Sequence, residues 1–527
     1  MEFTEEFTDE ALDGYPVEYQ ETYEDVRPHQ SSYVVPDNVR NFLIQFQRHV
    51  NQRHVDDIHQ LYDSGFNRLT ERFYKTTAWP SDEVVGPLVN GDPLFLILYR
   101  ELFFRHIYAR LQPDVYHRCQ SYYNYCDLFN HILSDDDPLN LSLPTQWLWD
   151  IVDEFIYQFQ SFTQYRSKLS KRSTEEIDYL RNHQQVWNVH SVLNVLHSLV
   201  EKSNINPQLE AINSCQDPEK VAGTYGGDSL YRNLGYYSLI GLCRLHCLLG
   251  DYRQALKVLD RVDLNKKSTF ANVPTCRVTL FYYVGFAYLM MRRYTDAIRT
   301  FCSILLYLQR TKLLIPKSYQ YDQMVKQTEK MYHLLAISLT FCPMSVDESV
   351  NSSMRDKCGE RMHRLTAGDE KTFTDMFSFA CPKFLSPVPP PLDAGQDSHM
   401  DAFNAQNKIF LSEVRQQGLI PVIRSYLQLY TSMPIAKMAA FMDLDVEEFR
   451  THLLRYKHKM YTPVWTSGPL LGGELKSVAG TDFFIEGEMI HITDTSVARP
   501  YGEYFVRETA KVAELNKSFR SMISHMR

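Results

Sequence analysis

Residues 281–301 read FYYVGFAYLMMRRYTDAIRTF, and the reading of this stretch decides the fold. Phe281, Val284, Gly285 and Tyr288 stand at helical spacing, and Tyr294, Ala297 and Phe301 resume that spacing after the polar break at Arg292-Arg293. Two helices joined by a tight turn follow from this pattern. Small residues at Gly285 and Ala297 let the helices approach, facing each other across the crossing, while Tyr288 and Phe301 fill the space beside them.

An aromatic, then aliphatic-Gly-x-x-Tyr, then Ala-x-x-x-Phe is the pattern of a tetratricopeptide hairpin. A weaker copy precedes it as Leu239, Leu242, Cys243 and His246, then Tyr252, Ala255 and Leu259. The offset between copies is 42 residues, longer than the usual period of roughly 34. Asn265–Thr275 is therefore expected to be an extended inter-repeat loop. Such hairpins cannot bury their apolar faces alone, so neighbours must stack on both sides.

Upstream, helical patterns follow one another over 36–50, 56–74, 92–111 and 114–133. The third, DPLFLILYRELFFRHIYARL, is apolar around most of its circumference and predicts deep burial. In Thr145–Leu169 the residues Leu148, Ile151, Phe155, Phe159 and Phe162 form one stripe, widened by Trp147, Trp149, Tyr157 and Tyr165. Core packing is the default for such a stripe, and an interface is the alternative. Trp187–Val200 repeats the pattern. Its His190 and His197 lie two turns apart, too far to chelate one metal. Asp135-Asp136-Asp137-Pro138 reads as a solvated turn, since a calcium loop needs alternating ligands and a closing Glu. Gly223–Asp228 lacks phosphate-loop spacing and is expected as a loop. Residues 381–400, CPKFLSPVPPPLDAGQDSHM, are Pro-rich and predict a linker.

The chain has 527 residues, 44% of them hydrophobic, with a formal net charge of −9. That length suggests about three domains. The charge gives no general affinity for polyanions. Residues 1–26 hold ten Asp or Glu and no Lys or Arg, which predicts a disordered acidic tail. No apolar run is long enough to span a membrane, and no secretory signal opens the chain. Ten scattered cysteines without any C-x-x-C read as reduced core thiols of a cytosolic protein.

Beyond Tyr430 the pattern changes. Met433-Pro434-Ile435 opens a short helix, and Asp445 with Glu448 makes an acidic capping box for a helix running to about Met460. FFIEGEMIHIT, from Phe483, alternates as two strands joined at Glu486-Gly487. Helix, turn, helix and β-hairpin make a winged helix. A closing helix from about Tyr501 carries Phe505, Glu508, Val512, Leu515, Phe519, Met522 and Met526 in steps of three and four. That is the seam of a bundle, and it marks Phe505, Val512, Leu515, Phe519, Met522 and Met526 as candidate partner-binding residues. The expected organisation is an acidic tail over 1–33, an N-terminal helical domain over 34–230, and repeats over 231–430. A winged helix over 431–495 and an assembly helix over 496–527 complete it.

WLWDIVDEFIYQFQSFTQY, WNVHSVLNVLHSLVEKSNI, YYVGFAYLMMRRYTDAIRTF, TSMPIAKMAAF and VWTSG together resemble the PCI-domain family, specifically its members in eukaryotic translation initiation factor three. The likeness runs from about Val34 to the end. It implies a mainly α fold, with a repeat array entering a winged-helix PCI module over about 305–510. It also implies a non-catalytic scaffold on the small ribosomal subunit, supporting recruitment of mRNA and initiator tRNA. Its expected neighbours are other subunits of that factor, K and E among them, with no cofactor. Proteasome-lid and signalosome subunits of the same family are the alternative assemblies.

Enzyme chemistry finds no support in the sequence. There is no G-x-S-x-G, no H-E-x-x-H, no phosphate loop and no H-x-H pair, so no catalytic, cofactor or metal set is expected. RNA contact is the competing function. Asp443, Asp445, Glu447 and Glu448 crowd the start of the helix that would enter a groove. Arg450, Arg455, Lys457 and Lys459 lie further along and are the candidates for non-specific contact with RNA backbone.

Overall fold

The computed structural model describes residues 35–134, 137–264, 269–311, 319–392, 397–478, 480–494 and 508–516, with positions 505 and 519. The acidic segment 1–26, Asp135, Asp136, Met522 and Met526 lie outside them. The fold is mainly α. No described helix is long and apolar enough to cross a membrane.

The amino-terminal helices pack around tryptophans. Trp147 is buried between Tyr62, stacked at 5.0 Å, and Phe46 at 5.5 Å, and its indole N–H donates to Glu101 Oε2 at 3.0 Å. The stripe Leu148, Ile151, Phe155, Phe159 and Phe162 is buried throughout, so this face is core. Tyr157 alone of its flanking aromatics stays on the surface. The helix expected over 56–74 is interrupted by a π turn, Leu61–Gly65, which carries Tyr62 into the core between Val55–Gln60 and Phe66–Phe73. Tyr62 donates to Asp150, which also lies near Arg105. Burial pushes Asp150 and Glu154 up to about 7, with the Arg105 charge opposing it.

The two repeat hairpins are Ser229–Leu249 with Tyr252–Val258, and Pro274–Met290 with Tyr294–Thr311. The first turns at Gly250, whose φ of 83° closes the helix as only glycine does without strain. A short 3₁₀ turn, Thr269–Asn272, lies in the inter-repeat connection. The second hairpin crosses tightly, but the partner differs from expectation. A Cβ on Gly285 would meet the Phe301 ring at 2.5 Å, so the gap left by glycine is filled by Phe301 rather than Ala297. The reason is directional: helical side chains lean towards the N-terminus, and Phe301 covers the surface one turn before its own Cα.

Tyr319–Phe341, Glu348–Thr366 and Glu370–Ala380 extend the array, and the Pro-rich segment returns across it. Leu385 N–H donates to Leu248 O at 2.8 Å, Ser398 N–H to Ser167 O at 3.1 Å, and Asp397 accepts from Ser170 N–H at 2.9 Å. This linker is thus pinned to helices more than a hundred residues away. Gly223, expected in a loop, kinks a short helix, Glu219–Gly226, at φ 69°. One continuous apolar core runs from Val39 to Val414, and all ten cysteines are free. Burial raises Cys119 to about 11 and Cys381 to about 12.

The winged helix has its own core of Ile420, Ile423, Met433, Met438, Phe449, Leu453, Tyr456, Phe483 and Ile490. Its sheet is β1 (Ser432–Pro434), β4 (Thr481–Glu486) and β5 (Met489–Asp494), in the order β1-β5-β4. Met433, expected in a helix, is a strand residue opposite Ile490, and the helix starts only at Ile435. Asp445 caps Val446–Met460 by accepting from Glu447 N–H, without the reciprocal Glu448 contact of a capping box. A second ribbon, β2 (Tyr461–Val464) with β3 (Glu474–Ser477), was not foreseen.

Candidate assembly surface

The loop between β2 and β3, residues 465–473, joins the winged helix to the repeat array. Leu470 at its tip is wholly buried in the array core, not in the winged-helix core. Its socket is the turn of the second hairpin. Arg293, 4% exposed, donates from Nε to Asp296 Oδ2 at 2.8 Å, and its Nη2 lies 2.7 Å from the same oxygen. Nη1 donates to Leu470 O at 3.2 Å and Leu471 O at 3.0 Å, and Nη2 to Gly472 O at 2.8 Å. A guanidinium has five N–H donors, and four hydrogen bonds and the ion pair to Asp296 engage this one. Tyr288, read from sequence as a space-filler, also hydrogen-bonds Leu470 O at 2.9 Å and stacks under the guanidinium. Asp296 Oδ1 accepts from Trp465 N–H at 2.9 Å. The buried charge is therefore paired and amply hydrogen-bonded, the condition under which burial is tolerable.

A second tie gathers on Glu413, buried on helix Asp401–Gln417. Arg292 Nε stands 3.0 Å from its Oε2, while Tyr294 O–H donates to Oε1 at 3.3 Å and Gln417 Nε2 at 2.9 Å. Lys459 of the winged helix closes the group as an ion pair with the same carboxylate. Burial lowers the Lys459 pKa, and Glu413 works against that shift. Array and winged helix are thus fastened at two charged points. The orientation of the wing is built in.

The other basic candidates are also engaged. Arg450 pairs with Glu488 at 3.2 Å, and Lys457 lies 3.4 Å from Asp482 while donating to Phe483 O. Arg455 contacts His452 at 3.3 Å and has no carboxylate partner among the described residues. The four side chains do not make one open basic stripe. Glu447, Glu448 and Glu488 are exposed around the start of the same helix.

The described seam residues are exposed. Phe505, Val512, Leu515 and Phe519 are 63%, 61%, 57% and 58% exposed, and residues 508–516 are helical. Glu508 within the seam pairs with Lys511 at 2.8 Å. Val512, Leu515 and Phe519 are thus large apolar side chains left exposed at bundle spacing.

Residues 117–512 match the family described as RNA polymerase I-associated factor PAF67. Over nearly the full chain, it is similar to proteins named eukaryotic translation initiation factor 3 subunit L. The relative from Nematostella vectensis is 53% identical over 512 residues, covering 97% of this chain and 98% of its own. Those from Danio rerio and Homo sapiens are each 52% identical, over 530 and 529 residues. Each covers 96% of this chain, with 91% and 93% of their own lengths.

Proposed function

Since the chain belongs to the eukaryotic translation initiation factor 3 subunit L family, and is a subunit of that initiation factor, we propose that it is a non-catalytic scaffold held in the complex by its carboxy-terminal helix. The observation that carries this reading is the exposure of Val512, Leu515 and Phe519 on one seam. Burying each such side chain is worth about 1.5–3 kcal/mol, enough together to support a helix–helix contact. Met522 and Met526 continue the seam in sequence. The neighbours we infer are PCI subunits of the same factor, K and E among them, on the small ribosomal subunit in the cytoplasm. The role is support of mRNA and initiator tRNA recruitment through protein contacts. The winged helix suits this as a PCI module whose orientation is fixed by Arg293 and Glu413.

Non-specific RNA contact is an accessory in this reading. Arg450, Lys457 and Lys459 already face carboxylates, which leaves Arg455 as the cation best placed for a phosphate.

The test replaces Leu515 and Phe519 together with Asp and follows both thermal unfolding and co-purification with the other subunits. A folded variant that leaves the complex supports an intermolecular seam. A variant that unfolds alone would assign the helix to its own core, and retention with normal stability would sink the proposal.

A further inference from the structure

Far from the winged helix, the first helical corner brings three ligand-type side chains together. Helix Asp37–Gln52 ends at Arg53, whose φ of 57° turns the chain directly into Val55–Gln60. His49 lies in the last turn of the first helix, His54 immediately precedes the second, and Asp57 stands in its first turn. The sharp turn folds these three onto one side. Asp57 Oδ2 is 3.3 Å from His49 Nδ1 and 3.6 Å from His54 Nδ1, and the three ligand atoms all lie within 4.8 Å of one another. No other such group occurs among the described residues. Asp56 and His59 of the same helix line a separate groove with Pro144 and Leu230.

Two features point to a ligand rather than a simple ion pair. His49 Nδ1 is buried and makes no hydrogen bond, so its approach to Asp57 lacks hydrogen-bond geometry. A buried ring nitrogen left in that state costs about 1–3 kcal/mol. The spacing itself is the second feature. Tetrahedral coordination with bonds of about 2.0–2.2 Å sets neighbouring ligand atoms about 3.3–3.6 Å apart. Both contacts to Asp57 fall in that range.

We propose that His49, His54 and Asp57 bind one divalent transition-metal ion of the zinc class, with the fourth position open to water. Two imidazoles and a carboxylate suit Zn²⁺, Co²⁺ or Ni²⁺ better than Mg²⁺ or Ca²⁺, which prefer oxygen alone. The ion clips the end of one helix to the start of the next and so stiffens the amino-terminal corner of the array. It is held by neutral imidazole nitrogens and an ionised carboxylate.

The experiment titrates the full-length chain with Zn²⁺ by calorimetry and with Co²⁺ by absorption, after stripping with EDTA. We expect one saturable equivalent, weakened about 100-fold in both His54→Ala and Asp57→Asn. Both side chains are exposed, and the variants should melt like the parent in EDTA. The chain has 18 histidines, so adventitious binding is the outcome to separate. Saturable binding left intact in both variants would place the ion elsewhere, and absence of saturable binding would equally overturn the site.

Discussion

The guanidinium of Arg293 hydrogen-bonds the backbone carbonyl of Leu470, 177 residues further along the chain. This one side chain joins the turn of a repeat hairpin to the loop of a β-ribbon set within the winged helix. Replacing Arg293 with Ala strands Asp296 as a buried carboxylate without its ion-pair partner and frees the carbonyls of Leu471 and Gly472, while Leu470 O keeps Tyr288. Loss of a buried pair costs about 3–5 kcal/mol. Denaturant unfolding should register that loss, and hydrogen exchange should show residues 465–473 opening first. Unchanged protection of that loop would refute the latch.

At Gly285, a leucine must displace the Phe301 ring, which stands 2.5 Å from where its Cβ would be. Overpacking of this kind costs about 1–3 kcal/mol. Gly285→Leu should lower the melting temperature, and pairing it with Phe301→Leu should recover part of the loss. A parent-like melt for the single variant would contradict the crossing.

The buried carboxyls make stability fall as pH rises. Asp150 and Glu154 titrate at about 7 in the folded chain because burial penalises their charged forms. Unfolded, they would titrate near 4. The folded state therefore holds extra protons between these values, and their contribution, full below about pH 4, disappears as pH rises through about 7. Asp150→Asn should flatten the fall in urea midpoint between about pH 5 and pH 8. An unaltered slope would exclude Asp150 as a source.

Lys459 separates a structural cation from an RNA-binding one. It faces Glu413 inside the seam between array and winged helix. Lys459→Met should cost about 1–3 kcal/mol of stability through the lost charged contact. The salt dependence of any RNA affinity should stay the same, since one fewer phosphate contact would change its slope by about 0.7–0.9. A shallower slope with full stability would reverse the assignment.

The periodic parts of this fold were open to reading. The stripe from Leu148 to Phe162 is core, as its pattern predicts. Periodicity records which face is buried, and these helices bury one broad face. What the pattern cannot carry is the identity of an acceptor. Leu470, Leu471 and Gly472 bind Arg293 through carbonyls that every residue possesses, so nothing in GPLLGG announces a docking loop. The strand at Met433 was missed for a related reason, since its pairing depends on Ile490, far away in sequence. His49, His54 and Asp57 straddle a helix break, where helical spacing rules lapse. The spacing of Val512, Leu515 and Phe519 was legible as a pattern, whereas their exposure needed coordinates.

The long reach between Arg293 and Leu470 also fixes an order of events during synthesis. At about 5–20 residues per second, roughly 10–35 s pass between the making of Arg293 and that of Leu470. Through that interval the second hairpin is already encoded, but the three carbonyls that complete its turn do not yet exist. The nascent array must keep Arg293 on Asp296 and water alone, with the Leu470 socket open. Closure belongs to the last stage of translation, so a chain stopped before residue 470 leaves the socket made by Tyr288, Arg293 and Asp296 without its plug.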